Sequence, residues 1–179
     1  EECIELFELE YYTDMFGYKV KGMFDRIIVF PEQKRAVLID YKTYGNGSIE
    51  KSILKFGYCN QLSWYLKLFE TWLRENGYLD YSVDVYIVGI STEHYKVNVI
   101  PLSIKSLQCG QYGGYVKPQM YTIYNDDDEF DPFLSEADVD WLKHNNIWSN
   151  TNHNNFKRLG WNECFNVGIE AELFDEFKV

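Results

Sequence analysis

Two β-rich runs separated by a short polar turn constrain this chain most. Tyr18 to Phe30 is long enough for a strand that crosses a whole sheet, Pro31-Glu32-Gln33-Lys34 is a turn, and Arg35 to Thr43 (RAVLIDYKT) is a second, mostly apolar run. Upstream, Phe7 to Tyr12 alternates apolar and acidic residues as a half-exposed strand does, and Thr13 to Gly17 offers the intervening turn. The three runs predict an antiparallel meander whose third strand is mostly buried.

After the flexible Tyr44 to Ser48 the period changes. Leu62, Tyr65, Leu66, Phe69, Trp72 and Leu73 form a helical stripe within a segment from Ile49 to about Glu75, which Asn76-Gly77 ends. Tyr81 to Ile90 and Tyr95 to Leu102 read as two more strands, paired through the turn Ser91 to His94. The order is therefore β-β-β-α-β-β, with a long crossover helix, a mixed central sheet and an α/β (α+β) fold class.

At 179 residues, nearly half of them apolar, the chain suits one domain, with a core over about residues 7–102. Residues 103–179 are expected to form an irregular extension. It holds a Gly- and Tyr-rich loop through Tyr115, the acidic run Asp126 to Glu129 and a short helix at Ser135 to His144, where Ser135 and Asp138 resemble a capping pair. An Asn-rich loop over Asn145 to Asn155 and a terminal amphipathic stretch, Glu170 to Phe177, complete it. No apolar run approaches the roughly eighteen residues needed to span a bilayer, and Glu1-Glu2 is not the basic start of a signal peptide. The expected location is the cytoplasm, without membrane attachment. The missing initial Met suggests a piece of a larger parent chain.

Cys3, Cys59, Cys109 and Cys164 show no CxxC spacing, so neither a zinc site nor a dithiol redox site is expected. A net charge of −11 argues against a protein that coats nucleic acid, because such proteins neutralise phosphates with Lys and Arg. The acids, however, concentrate in Asp126 to Glu129 and Glu170 to Glu176, and a metal-dependent centre must itself gather carboxylates.

Asp40 and Lys42 lie two residues apart on one strand, so their side chains share a face while Tyr41 points away. Counting outward from the Pro31 to Lys34 turn brings Asp25 opposite Asp40 with no bulge. Two carboxylates and an amine then converge. Such carboxylates repel unless a cation lies between them, and oxygen ligands favour a hard divalent ion, Mg²⁺ or Mn²⁺. With that ion the set can hydrolyse a phosphodiester, Lys42 orienting water or offsetting developing charge. Without it, Asp40 and Lys42 are an ordinary strand-end ion pair.

The wider pattern favours the first reading. Gly22-Met23-Phe24-Asp25, then Leu38-Ile39-Asp40-Tyr41-Lys42-Thr43, then Gln61-Leu62-Ser63-Trp64-Tyr65 resembles the G-x-x-D, (V/I)-D-x-K-T and Q-x-x-x-Y motifs of RecB-like nucleases of the PD-(D/E)XK superfamily. The resemblance covers about Tyr18 to Glu70. It implies a restriction-endonuclease-like core, metal ligation by Asp25, Asp40 and the Tyr41 carbonyl, catalysis by Lys42, and support from Gln61 and Tyr65 on the crossover helix. It also implies a DNA substrate, with an exonuclease of repair, recombination or phage DNA processing as the leading function and a helicase or recombination protein as partner. A restriction-like endonuclease is the neighbouring alternative. A catalytically silent module of the same fold, binding nucleic acid or protein, is the alternative outside enzymology. Many relatives carry an upstream His or Glu on an N-terminal helix, for which this sequence has no room before its first strand; Glu8 and Glu10 are the candidate substitutes, and an alternating surface strand accounts for both equally well. The cysteine spacing does not match the iron-sulfur pattern of some relatives, so no cluster is expected.

Other candidates are weaker. His94, His144 and His153 lie apart from the motifs, and Asp126 to Glu129 lacks the spaced ligands of a calcium loop. Lys19, Lys21, Lys51 and Lys55 are candidates for phosphate contacts, and Tyr112 and Tyr115 for stacking on bases.

Overall fold

A computed structural model describes residues 2–45, 47–115, 157–158 and 160–161. The expected Ser135 to His144 helix, the Asp126 to Glu129 run, the Asn-rich loop and the Glu170 to Phe177 stretch lie outside the described residues.

Strands β1 (Ile4–Met15), β2 (Tyr18–Phe30) and β3 (Arg35–Tyr44) form the antiparallel meander. Helices α1 (Ile49–Phe56) and α2 (Tyr58–Glu75) carry the chain to β4 (Ser82–Ser91), which pairs parallel to β3, and β5 (Val97–Pro101) returns antiparallel along β4. The sheet order β1-β2-β3-β4-β5 is mixed, with β3 and β4 parallel and the other neighbours antiparallel, consistent with a restriction-endonuclease-like α/β core. Helix α3 (Ile104–Tyr112) follows, and β6 (Gly114–Tyr115) pairs with β7 (Lys157–Arg158). No helix among the described residues is long and apolar enough to cross a membrane.

The first turn is tighter than expected. Phe16 (φ 55°) and Gly17 (φ 80°) alone connect Met15 to its partner Tyr18, both in the left-handed region that suits a two-residue hairpin. Strand β1 therefore runs on past Tyr12.

The helical segment is also not continuous. Ser48 caps α1 by accepting from the Lys51 amide, and Gly57, at φ 65°, closes it in a left-handed turn that no β-branched residue adopts cheaply. The helical stripe falls entirely in α2, whose Leu62, Leu68, Phe69 and Leu73 are buried against the sheet.

Helix α3 corrects the expectation of a loop. Ser103 caps it, accepting from the Ser106 amide at 3.0 Å, and Ser106 and Leu107 are buried. Gly110, in the stretch read as a Gly- and Tyr-rich loop, is the point where α3 approaches α2: a Cβ there would fall on the Cys59 carbonyl. Gly110→Ala is therefore expected to cost about 1–3 kcal/mol or more through overpacking, despite Ala being the better helix former. Urea denaturation checks this; a variant as stable as the parent would show that the two helices separate freely.

Candidate active site

The expected β2–β3 register is found from Phe30↔Arg35 to Arg26↔Ile39. Regular pairing stops there, one step before Asp25 and Asp40. Burial along β2 also changes phase at this point, from Val20 and Phe24 to Ile27 and Val29. The facing position on β1, Glu8, is exposed with φ 48°, so both strands depart from regular pleating together. The count thus holds as far as Arg26↔Ile39, and the ladder ends before its last step. Instead of a ladder bond, the Tyr41 amide donates to Asp25 Oδ2 at 2.8 Å.

On the inward face of β3, Ala36, Leu38 and Asp40 are buried in succession, Asp40 at only 2% exposure. Lys42 follows on that face, its Nζ 2.8 Å from Asp40 Oδ2. The close approach does not satisfy the carboxylate: Asp40 Oδ2 is buried and lacks a hydrogen bond of acceptable geometry. The two observations are compatible, since an ammonium can be near in charge while poorly aligned as a donor. Tyr41 points to the opposite face, where its hydroxyl accepts from Arg26 at 3.2 Å.

Burial pushes the Asp40 carboxyl above its ordinary range, the Lys42 ammonium pulls it down, and the Asp25 charge pushes it up again. The structure thus brings Asp25, Asp40 and Lys42 together. In metal-free protein, an acid whose folded pKa lies above its unfolded one favours folding fully below the unfolded value, and that contribution is lost as pH rises through the folded value. Denaturation in EDTA should therefore show the stability difference between Asp40→Asn and the parent moving in the variant's favour from pH 4 to pH 8. A pH-independent difference would mean that Asp40 is not held in a charge-disfavouring site.

Helix α1 comes down onto the sheet beside Lys42. Gly89, the β4 partner of Lys42, has no Cβ, and one built there would meet Ile49 Cγ1 at 2.7 Å. Tyr58, at the start of α2, then covers the Lys42 ammonium, which sits 4.8 Å from its ring centroid. Tyr58 was missed in the sequence; its only signal was a position one helical turn before Gln61. Gln61 is half-buried. Tyr65 meets Phe24 edge-on at 5.9 Å and lies beside Gly22, where a Cβ would come 2.7 Å from Leu68. Tyr65 is thus placed against β2, and Tyr58 is the aromatic residue on the lysine.

The residues fit a hard divalent cation. They offer two acids that repel each other, one of them deeply buried with its charge disfavoured by that burial. Among the described residues no third His, Cys, Asp or Glu joins them, Glu8 and Glu10 included. A cation held here would take its remaining ligands from backbone carbonyl, water or substrate, as Mg²⁺ commonly does.

No curated protein and no solved structure matches the chain. The profile of the PD-(D/E)XK nuclease superfamily matches residues 2–143, which takes in the whole five-stranded sheet and the acid, acid and lysine cluster. With most of its length inside that match, the chain belongs to the PD-(D/E)XK nuclease superfamily.

Proposed function

We propose that the chain is a metal-dependent deoxyribonuclease of the RecB-like branch, working as an exonuclease in repair, recombination or phage DNA processing. The observation that carries this reading is the buried Asp40 carboxylate, with Lys42 2.8 Å away and the Asp25 charge acting on it. Asp25, Asp40 and the Tyr41 carbonyl are the proposed ligands for Mg²⁺ or Mn²⁺. When bound, such an ion polarises the scissile phosphate and acidifies a water. Tyr41 contributes at both ends: its amide holds Asp25 in place, and its carbonyl would be the third ligand. Lys42, held between Asp40 and the Tyr58 ring, orients the attacking water and offsets charge on the phosphate. Gln61 and Tyr65 support the cluster from α2. The substrate is DNA, and the chain acts as a single domain within a larger parent or beside a helicase or recombination partner.

The test is incubation with linear and circular DNA in Mg²⁺, Mn²⁺ or EDTA. Metal-dependent degradation of the linear form, with the circle spared, is the expected result. Lys42→Met should lower the rate by about a hundredfold to a thousandfold with its fold intact by circular dichroism. An inert wild-type chain under every metal would sink the nuclease reading and leave a binding module of the same fold.

A further inference from the structure

The proposed reaction centre is connected to solvent by a short series of stacked groups. Asp40 pairs with Lys42 at 2.8 Å, Lys42 lies 4.8 Å from the Tyr58 ring, and Tyr58 stacks on Phe56 with centroids 5.7 Å apart and planes inclined by 24°. Phe56 ends the series at the surface, 59% exposed at the last position of α1. One face of its ring is used by Tyr58, and much of the ring remains open to water. A large apolar ring beside a charged centre is poorly placed for core packing and well placed for stacking on a planar ligand.

The charge around it points to the ligand. Lys55 holds its Nζ 5.1 Å from the Phe56 ring centroid. Lys51, also exposed, lies one helical turn earlier on the same face of α1. Helix α1 carries these two lysines against the single acid Glu50, in a chain whose net charge is −11. An aromatic platform flanked by ammonium groups is the arrangement that binds unpaired nucleic acid, the ring taking a base and the lysines the phosphates. Within a duplex, each interior base is already stacked on both sides and cannot use the ring.

We propose that Phe56, with Lys51 and Lys55, docks an unpaired nucleic-acid strand and delivers it past Tyr58 to the Asp25–Asp40–Lys42 cluster. The inference rests on reading that cluster as a nuclease centre and assigns the site a single-stranded or frayed substrate. Phe56 is a positioning residue for the strand and takes no part in the chemistry.

The test measures binding and cleavage separately, with the whole chain. Binding of fluorescent oligothymidylate and of a blunt duplex is followed by anisotropy in EDTA, in an Asp40→Asn background. Phe56→Ala is expected to weaken oligothymidylate binding about tenfold or more, with Phe56→Trp restoring it and the duplex affected by less than about twofold. Lys51→Ala and Lys55→Ala should each flatten the salt dependence by somewhat less than one unit of slope. Undetectable oligothymidylate binding, unchanged binding by Phe56→Ala, or equal loss on both probes would overturn the proposal. The nuclease reading fails differently: there the unsubstituted chain cleaves nothing with metal, whatever it binds. Duplex cleavage with no preference for unpaired ends, and with no effect of Phe56→Ala, would overturn strand docking alone.

Discussion

Asp40→Asn is expected to lower metal-dependent cleavage by about a thousandfold or more, and to abolish the thermal stabilisation that metal confers. Asp40 is 2% exposed, its Oδ2 lacks a well-aligned donor, and its neighbours Lys42 and Asp25 place opposing charges on it. An amide in its place keeps the shape and removes the negative charge on which a hard cation depends. With metal at about ten times its dissociation constant, the parent should gain about 1.4 kcal/mol, or roughly 3–6 °C in Tm for a chain of this size. Differential scanning fluorimetry across a Mg²⁺ and Mn²⁺ titration reads this without any substrate. Equal stabilisation of parent and variant would move the metal away from Asp40 and remove the basis for the proposed chemistry. Tyr58→Leu provides a contrast: by leaving both acids untouched, it should keep the metal response while losing the aromatic cover on Lys42.

Phe24→Ala is expected to cost about 3–5 kcal/mol, a large fraction of the roughly 5–15 kcal/mol by which domains of this kind are stable. Phe24 is fully buried, with ring centroids 5.7 Å from Phe69, 5.9 Å from Tyr65 and 6.3 Å from Tyr11. It joins the β1–β2 hairpin to α2 and directly precedes Asp25 in the chain. Its removal opens a cavity where β2 leaves the regular ladder with β3, so activity should fall further than the unfolded fraction explains. Urea denaturation at 25 °C and cleavage rates measured well below the midpoint separate the two effects. A cost below about 1 kcal/mol would show that the hairpin and α2 are not held together through this ring.

Several parts of the fold were legible in the sequence because their signals are local. The bounds of β2, the Pro31 to Lys34 turn and the start of β3 depend on alternation and turn chemistry within a few residues, and all three agree with the structure. The long segment after β3 was rightly helical, but its division at Gly57 was hidden because the apolar stripe belongs only to α2. The missed α3 has a different cause. A glycine reads as a break when its cost is counted along its own helix, and Gly110 is compensated by a neighbouring helix that no window on the sequence contains.

The candidate site divides in the same way. Asp40 and Lys42 share a face because strand geometry has a period of two, and that follows from the sequence alone. The turn length likewise determined that Asp25 would come to the end of the same ladder. Only the tertiary structure decided how the three groups meet. The joint departure of Glu8 and Asp25 from regular pleating lets the Asp25 carboxylate accept from the Tyr41 amide, and Gly89 lets α1 settle against the sheet. Tyr58 reaches Lys42 across the contact between the start of α2 and β3. Periodicity sets which side of an element a residue occupies; the distance between elements is set by how closely their backbones can pack, and that depends on both partners at once.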